Sequence, residues 1–234
     1  MTIFRLQCII GIIFLFSCSP ERKIPYREPW TKKDFCKANT ARFAFYLSKK
    51  SKETIRLINL ARINGPLFVK TYYIPYLINS EVMAGKNDTA VLLKKPYYGG
   101  LYTDLNMNKK LSLVKPSFSL HLSASFHAIT SGLSGYAGHD RPLRFEVRMR
   151  VFNLFINNYG ENCDYGNKYP LDAVMSLLID EGEPTVGHRR NILNKNFRRL
   201  GCSFKWHRRY GHNYVQDFSS GSLFQRVFKK KDLN

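Results

Sequence analysis

Apolar residues recur at helical spacing in several stretches of this chain. The clearest stretch is 170–181, where Leu171, Val174, Leu177 and Leu178 fall on one side of a helix. A glycine and a proline follow this stretch and end the helix. The same kind of pattern predicts further helices at 42–64, 117–130, 146–159 and 187–193.

Two stretches near the end of the sequence are typical of strands. Residues 200–206 and 213–218 are joined by a short basic turn, which indicates a hairpin. Residues 79–116 contain several glycines, prolines and lysines, and this composition predicts an irregular insertion rather than a separate domain. In the helix at 146–159, the spacing places Val147 and Val151 on the buried side.

The beginning of the chain has the pattern of an export signal, residues 1–17. Its apolar run is too short to span a bilayer and ends in Leu-Phe-Ser-Cys at Cys18. This ending resembles a bacterial lipobox, which implies cleavage before Cys18 and attachment of lipid to that residue. An ordinary cleaved signal and an uncleaved anchor helix are the alternative interpretations. Residues 18–41, rich in charge and proline, are expected to be an extended tether, and 229–234 a basic tail.

The charge of the chain restricts its partners. Its 37 Lys and Arg against 17 Asp and Glu give a formal net charge of +20, which favours anionic lipid, lipopolysaccharide or another polyanion. The basic residues are spread along the sequence, and it contains no zinc-finger, RNA-binding or phosphate-loop motif. Nucleic acid is therefore not expected as a partner, whereas a membrane surface or a protein partner is.

The five cysteines fit an exported protein. Cys8 would leave with the signal and Cys18 would carry lipid, so Cys36, Cys163 and Cys202 remain in the mature chain. In an oxidising compartment a disulfide between Cys163 and Cys202 is the preferred expectation. Three buried free thiols are the alternative.

The most distinctive local sequence is Gly-His-Arg-Arg-Asn-Ile-Leu at 187–193. It resembles a segment of bacterial members of the CAP superfamily, which comprises SCP-like domains of cysteine-rich secretory, antigen 5 and pathogenesis-related proteins. Segments that resemble other family motifs lie along the chain in the family's order, at 57–62, 125–128, 138–140 and 160–162 before this sequence and at 215–218 after it. The resemblance implies an α+β fold, a three-layer α-β-α sandwich, over about residues 42–228 with the insertion at 79–116.

The resemblance also implies a cleft of two histidines and two acidic residues: His139, Glu161, Glu181 and His188. Helical geometry favours Glu181 over Asp180 for the third position, because residue 181 lies seven positions after Val174 and residue 180 would face solvent. Imidazole nitrogens and carboxylate oxygens are suitable ligands for Zn²⁺ or another divalent cation. Glu161 or Glu181 could instead act as a general base. A buried polar network without ligand is the structural alternative.

These observations lead to one preferred function and two alternatives. The preferred interpretation is a lipid-anchored protein of the bacterial cell envelope, periplasmic or on the surface, whose His/Glu cleft binds a ligand or divalent metal without catalysis. Secretion without an anchor is the alternative location. A metal-assisted hydrolase of peptide, glycan or ester would use the same cleft, and lipid or sterol binding is the third interpretation. No nucleophile motif of a serine or cysteine hydrolase is present in the sequence.

Overall fold

A computed structural model describes residues 29–79, 88–108, 110–153, 156 and 158–221 of the chain. The predicted signal at 1–17, the proposed lipid attachment at Cys18 and the basic tail at 229–234 lie outside the described residues. Within the described part, no helix is long and apolar enough to cross a membrane.

The secondary structure begins with a helical half and continues with a mixed half. The first half contains α1 (Lys32–Ala38), α2 (Lys49–Ile63), α3 (Gly65–Phe68), a π-helical turn (Val69–Tyr73), α4 (Ile74–Leu77), α5 (Thr89–Leu92) and α6 (Pro96–Met107). The second half contains β1 (Lys115–Pro116), α7 (Phe118–Ser134), α8 (Phe145–Phe152), β2 (Tyr159–Tyr165), α9 (Pro170–Ile179), α10 (Gly187–Leu193), β3 (Arg199–His207) and β4 (Gly211–Ser219).

The four strands form one sheet in the order β1-β3-β4-β2. The short β1 pairs with β3 in parallel, and the other pairs are antiparallel. Helices α7 and α8 cover one face of the sheet, whereas α2, α9 and α10 cover the other. The family's expected α+β sandwich of three layers is confirmed, and β2 is the edge strand on which the candidate site is built.

Two glycines allow α7 to approach the sheet closely. A Cβ atom at Gly201 of β3 would lie 2.1 Å from the backbone nitrogen of His121, and one at Gly132 of α7 would lie 2.2 Å from the carbonyl oxygen of Trp206. Such distances are far below van der Waals contact, so only glycine fits at either position. This close packing fixes α7 against the same sheet face that carries Glu161.

The predicted helices at 117–130, 170–181 and 187–193 are confirmed with small changes of boundary. The helix predicted at 42–64 begins only at Lys49, because Ser48 caps it by accepting a hydrogen bond from the backbone nitrogen of Ser51 (3.1 Å). The insertion at 79–116 was expected to be irregular, and this is wrong for α5 and α6. Tertiary packing overrides the low helix propensity of the two glycines in α6.

Two other segments differ from the expectations. The helix predicted at 146–159 ends at Phe152, and its buried residues are Arg148 and Met149, whereas Val147 and Val151 are exposed. The proposed tether packs on the domain from Trp30 onward, since the buried Trp30 indole donates a hydrogen bond to Thr71 (2.8 Å). The packed domain therefore includes residues before the expected start at residue 42.

Candidate functional site

The two predicted site histidines, His139 and His188, lie on opposite faces of the edge strand β2. Successive side chains of a strand point to opposite faces. Glu161 contacts His139 and Arg148 on the face covered by α7 and α8. Asn162, the next residue, donates a hydrogen bond to the carbonyl oxygen of His188 on the other face (3.1 Å). The structure thus forms two separate histidine–carboxylate pairs instead of one group of four.

The first pair joins His139 and Glu161 inside a buried network. Nδ1 of His139 lies 2.8 Å from Oε1 of Glu161, and the guanidinium of Arg148 donates to Oε2. Burial by itself would raise the pKa of Glu161, but the hydrogen bond from His139 and the charge of Arg148 outweigh it and lower that pKa. The hydrogen bond to Glu161 in turn raises the pKa of His139.

A second carboxyl group belongs to this network. Asp217 of β4 lies directly opposite Glu161 of β2 and is fully buried. Burial and the negative charge of Glu161 raise the pKa of Asp217 well above its ordinary value. Arg148 and Glu161 form the ion pair of the cluster. Such a network stabilises packing between β2, β4 and α8.

The network does not provide a free base or nucleophile. Both oxygens of Glu161 are occupied, by His139 and by Arg148. The thiol of Cys163 lies 3.7 Å from Nδ1 of His139, the same nitrogen that contacts Glu161, so the three groups cannot form a relay through the two ring nitrogens. Burial also raises the pKa of Cys163 well above its ordinary value, which keeps it a thiol.

His127, Glu161 and Cys163 come close enough together to hold a metal ion. However, both ring nitrogens of His127 face carbonyl oxygens, those of Gly138 (2.8 Å) and Arg141 (3.1 Å). The nitrogen lone pair that a metal needs is therefore not directed at Glu161 and Cys163. His127 is fully buried and has a structural role in this network.

The second pair joins His188 and Asp180, not His188 and Glu181. Oδ1 of Asp180 lies 2.7 Å from Nδ1 of His188, and Oδ2 accepts hydrogen bonds from the backbone nitrogens of His188 (2.9 Å) and Arg189 (3.2 Å). Asp180 is 4% exposed, which contradicts its predicted solvent position. The reason is that α9 ends at Ile179 and Asp180 adopts a left-handed conformation (φ 59°), so helical spacing does not extend to residues 180 and 181.

The turn between α9 and α10 is strained at its far end. Val186 has φ 45° and ψ 43°, a left-handed conformation that β-branched residues rarely adopt. This conformation costs about 1–2 kcal/mol. It starts α10 so that the backbone nitrogens of His188 and Arg189 point at Asp180. The conformation of this turn therefore holds His188 beside Asp180.

Glu181 lies in the same turn as Asp180, but it does not pair with His188. Its side chain is exposed and accepts a hydrogen bond from the hydroxyl of Tyr98 on α6 (2.8 Å). Glu181 and His188 therefore line the same cavity, but no hydrogen bond joins their side chains. Tyr98 comes from the segment that was expected to be an irregular insertion, and this contact gives that segment a part in the site.

The cavity beside His188 has a volume of about 640 Å³. Asp164, Asp180, Glu181 and Glu183 supply its carboxyl groups, and His188 supplies an imidazole. No Lys or Arg is among the lining residues of the described chain. Its aromatic side chains come from Tyr76, Tyr98, Tyr165 and Tyr210.

Burial raises the pKa of one cavity carboxyl, Asp164, to about 6. Asp164, Tyr98 and Asp180 were not predicted as site residues. A signal for Asp164 was available, because it lies two positions after Asn162 in a strand and shares its face. No comparable signal marked Tyr98, which is 83 residues away from Glu181 in sequence.

The cysteines do not form the expected disulfide. Cys36, Cys163 and Cys202 are all free, which corrects the preferred pairing of Cys163 with Cys202. The two residues lie on β2 and β3, which are separated by β4, and two strand spacings amount to about 9.5 Å. A disulfide requires Cα atoms within about 7 Å. Their side chains also point to opposite faces, since Cys163 packs with Ala124 and Cys202 donates to the carbonyl oxygen of Ser51 (3.3 Å).

A family model matches most of the chain. The family model described as "CAP: Cysteine-rich secretory protein family" matches residues 55–218. An extracellular protein containing an SCP domain from Bacillus anthracis str. Ames is 25% identical with a TM-score of 0.39, over 47% of this chain and 34% of that one. The chain thus spans about a third of that protein.

Two other solved structures are similar at lower identity. An outer surface protein from Borrelia burgdorferi is 18% identical with a TM-score of 0.41, over 57% of this chain and 95% of that one. The CAP domain of Enterococcal PrgA is 18% identical with a TM-score of 0.33, over 50% and 56% of the two chains. A comparison with curated proteins gives no match.

Proposed function

The chain belongs to the CAP family of cysteine-rich secretory proteins, and from this membership we propose that it is an exported cell-envelope protein whose cavity beside His188 binds a divalent cation. The observation that carries the proposal is the contact between Asp180 and Nδ1 of His188 at the wall of an acidic cavity. The His139–Glu161 pair is given a structural role in this account.

The orientation of His188 suits a metal ligand. An ionised carboxylate only accepts hydrogen bonds, so Nδ1 of His188 donates to Asp180 and the lone pair of the ring lies on Nε2. Within the described residues, this Nε2 makes no hydrogen bond. Histidines that bind metals in proteins commonly donate their other nitrogen to a carboxylate in this way, which fixes the ring and raises its basicity.

The electrostatics of the cavity support the same conclusion. Four of the 17 acidic residues in a chain of net charge +20 line this one cavity. A concentration of negative charge in a basic protein attracts cations locally and not anions. Among the described residues, the ligand atoms of His188, Glu181 and Glu183 do not all lie within 4.8 Å of one another, so His188 would hold the ion with one or both glutamates only after their side chains move toward it. Asp180 would orient His188. Zn²⁺ suits one imidazole with carboxylates, and when bound it acts as a Lewis acid.

The cellular location is a further part of the proposal. The apolar run of residues 1–17 and the Leu-Phe-Ser-Cys sequence that ends at Cys18 support export and lipid attachment. A bacterial envelope location fits the basic charge, since lipopolysaccharide and anionic lipids are the polyanions present there. Mass spectrometry of the mature protein tests this part, with a diacylated Cys18 as the expected first residue. An unmodified first residue other than Cys18 contradicts it.

Calorimetric titration with Zn²⁺ tests the cation site. Wild-type protein is expected to bind, and His188→Ala should weaken binding by at least about tenfold, because it removes the nitrogen ligand. Glu181→Gln should weaken it less. His139→Gln is the matched control, since it changes a histidine–carboxylate pair outside the cavity, and it should leave the affinity unchanged. Loss of binding in His139→Gln with retention in His188→Ala contradicts the proposal.

A metal-assisted hydrolase is the second candidate, and one observation bears on it. Glu181 is exposed in the cavity and could accept a proton from a bound water, whereas both oxygens of Glu161 are occupied. Of the two general bases expected from the sequence, Glu181 is therefore the one that fits. Four carboxyl groups make the cavity a poor site for an apolar lipid or sterol.

A further inference from the structure

The outer face of α7 is apolar along its whole length. This helix of 17 residues contains no Asp, Glu, Lys or Arg. Its outward residues at positions i, i+4, i+8, i+11 and i+15 form what we call the α7 stripe: Phe118, Leu122, Phe126, Ile129 and Leu133. Phe118 is 54% exposed and Leu133 is 65% exposed. At 1.5 Å per residue the stripe is about 22 Å long.

Other exposed apolar side chains extend the α7 stripe at its sides. Phe118 contacts the ring of Tyr46 (5.1 Å between centroids), which contacts Phe45, and Phe45 is 93% exposed. On the neighbouring helix α8, Val147 and Val151 are exposed one helical turn apart. Exposed apolar side chains therefore lie on α7, on the segment before α2 and on the outer side of α8.

Such a surface is unusual for a helix that faces only water. Surface helices normally carry charged residues on the face opposite their core side. The core side of α7 is already occupied by the sheet, through Leu120, Ala124 and Ala128. A continuous exposed apolar patch marks a site that contacts protein or membrane.

The charges at the two ends of the α7 stripe indicate which partner fits. Arg42 and Lys49 are exposed on either side of the segment that carries Phe45. At the other end, Arg208 and Arg209 lie beside Gly135, the residue that ends α7. An apolar strip bordered by basic residues matches the boundary between acyl chains and anionic headgroups. Pairing of two such faces in a dimer is opposed by the net charge of +20 on each copy.

We propose that the α7 stripe lies on an anionic lipid bilayer, with its apolar side chains among the acyl chains and the flanking arginines at the headgroups. This contact would turn the opposite layer of the domain away from the membrane. This contact requires neither the lipid anchor nor the cation site.

Quenching of tryptophan fluorescence by lipids with brominated acyl chains tests the contact. The full chain is used with Trp206→Phe, which removes the exposed native tryptophan and leaves the buried Trp30 as an internal reference. A reporter is then introduced by Ile129→Trp on the stripe, or by Met107→Trp as the matched control. Met107 is 77% exposed on α6, in the opposite layer. Vesicles contain phosphatidylcholine with phosphatidylglycerol.

The reporter at position 129 should be quenched on these vesicles, and the reporter at 107 should not. A lipid anchor holds both proteins at the membrane equally, so the difference between the two positions reports the orientation alone. Equal quenching at both positions, or none at either, overturns the proposal. Protection of position 129 in a particle of two copies also overturns it, in favour of a dimer interface.

A second pair of substitutions checks the contribution of the side chains. Leu122→Asp with Leu133→Asp should lower the fraction of vesicle-bound protein, measured with Cys18→Ser to remove the acylation site. Because each exposed leucine that leaves water contributes roughly a tenfold change in the equilibrium, the double change should weaken binding by about a hundredfold. Circular dichroism checks that both variants fold. Unchanged binding by the folded double variant overturns the proposal.

Discussion

Substitution of Arg148 by methionine tests the structural role assigned to the His139–Glu161 network. The guanidinium of Arg148 is fully buried and donates to Glu161 and to the carbonyl oxygens of His139 (3.0 Å) and Leu143 (3.4 Å). Methionine fills a similar volume but donates no hydrogen bond. Glu161 would then remain as a buried carboxylate without its guanidinium partner.

The expected loss of stability is large because one partner of a buried pair is left behind. Removing one member of such a pair costs about 3–5 kcal/mol. For a domain of this size, that corresponds to a fall in melting temperature of roughly 10 °C. Removing both members costs less than the sum of the two single changes, since no buried charge is left unpaired. Arg148→Met with Glu161→Leu should therefore be about 2 kcal/mol more stable than additivity predicts.

Urea unfolding followed by circular dichroism measures these changes. Arg150→Met is the matched control, because Arg150 is exposed two residues further along the same helix, and its free energy of unfolding should change by no more than about 0.5 kcal/mol. The reasoning is refuted if Arg148→Met loses no more stability than Arg150→Met. Strict additivity in the double variant would show that Arg148 and Glu161 do not depend on each other.

Three other predictions concern packing and pH. Gly201→Ala should lower the free energy of unfolding by about 3 kcal/mol because its Cβ overlaps the backbone of α7. Gly187→Ala should cost much less in the same urea assay, because its Cβ would meet only the exposed Thr185 side chain, at 3.3 Å, and that side chain can move. Because Glu161 raises the pKa of His139, the stability that this pair contributes is present below about pH 6.5 and is lost as pH rises through the folded pKa. The difference in unfolding free energy between wild type and His139→Gln should therefore shrink as pH rises. A difference that grows with pH would contradict this. Affinity for Zn²⁺ should increase as pH rises through about 6, where Asp164 ionises, and calorimetry on Asp164→Asn should show a weaker pH dependence.

The parts of the fold that depend on local pattern could be predicted from the sequence. The apolar stripe of α9, its following glycine and the segment that forms α10 gave the correct helices within two residues. The hairpin of β3 and β4 was also correct, because alternating residues around a basic turn define it locally. The order of the family segments was sufficient to identify the three-layer architecture.

The parts that depend on tertiary contacts could not be predicted in this way. The choice of Glu181 assumed a helix that continued to residue 181, but a left-handed Asp180 ends it and turns that side chain to His188. In α8, apolar spacing favoured Val147, whereas the buried position belongs to Arg148, whose charge is balanced by a carboxylate 13 residues further along the chain. Local apolar spacing contains no information about such pairing.

Anomalous diffraction from crystals soaked in Zn²⁺ tests the central claim most directly, because it locates the ion. The account predicts an anomalous peak in the cavity lined by His188, Glu181 and Glu183. A peak between His139 and Glu161, or zinc bound at the surface with none in the cavity, would contradict it.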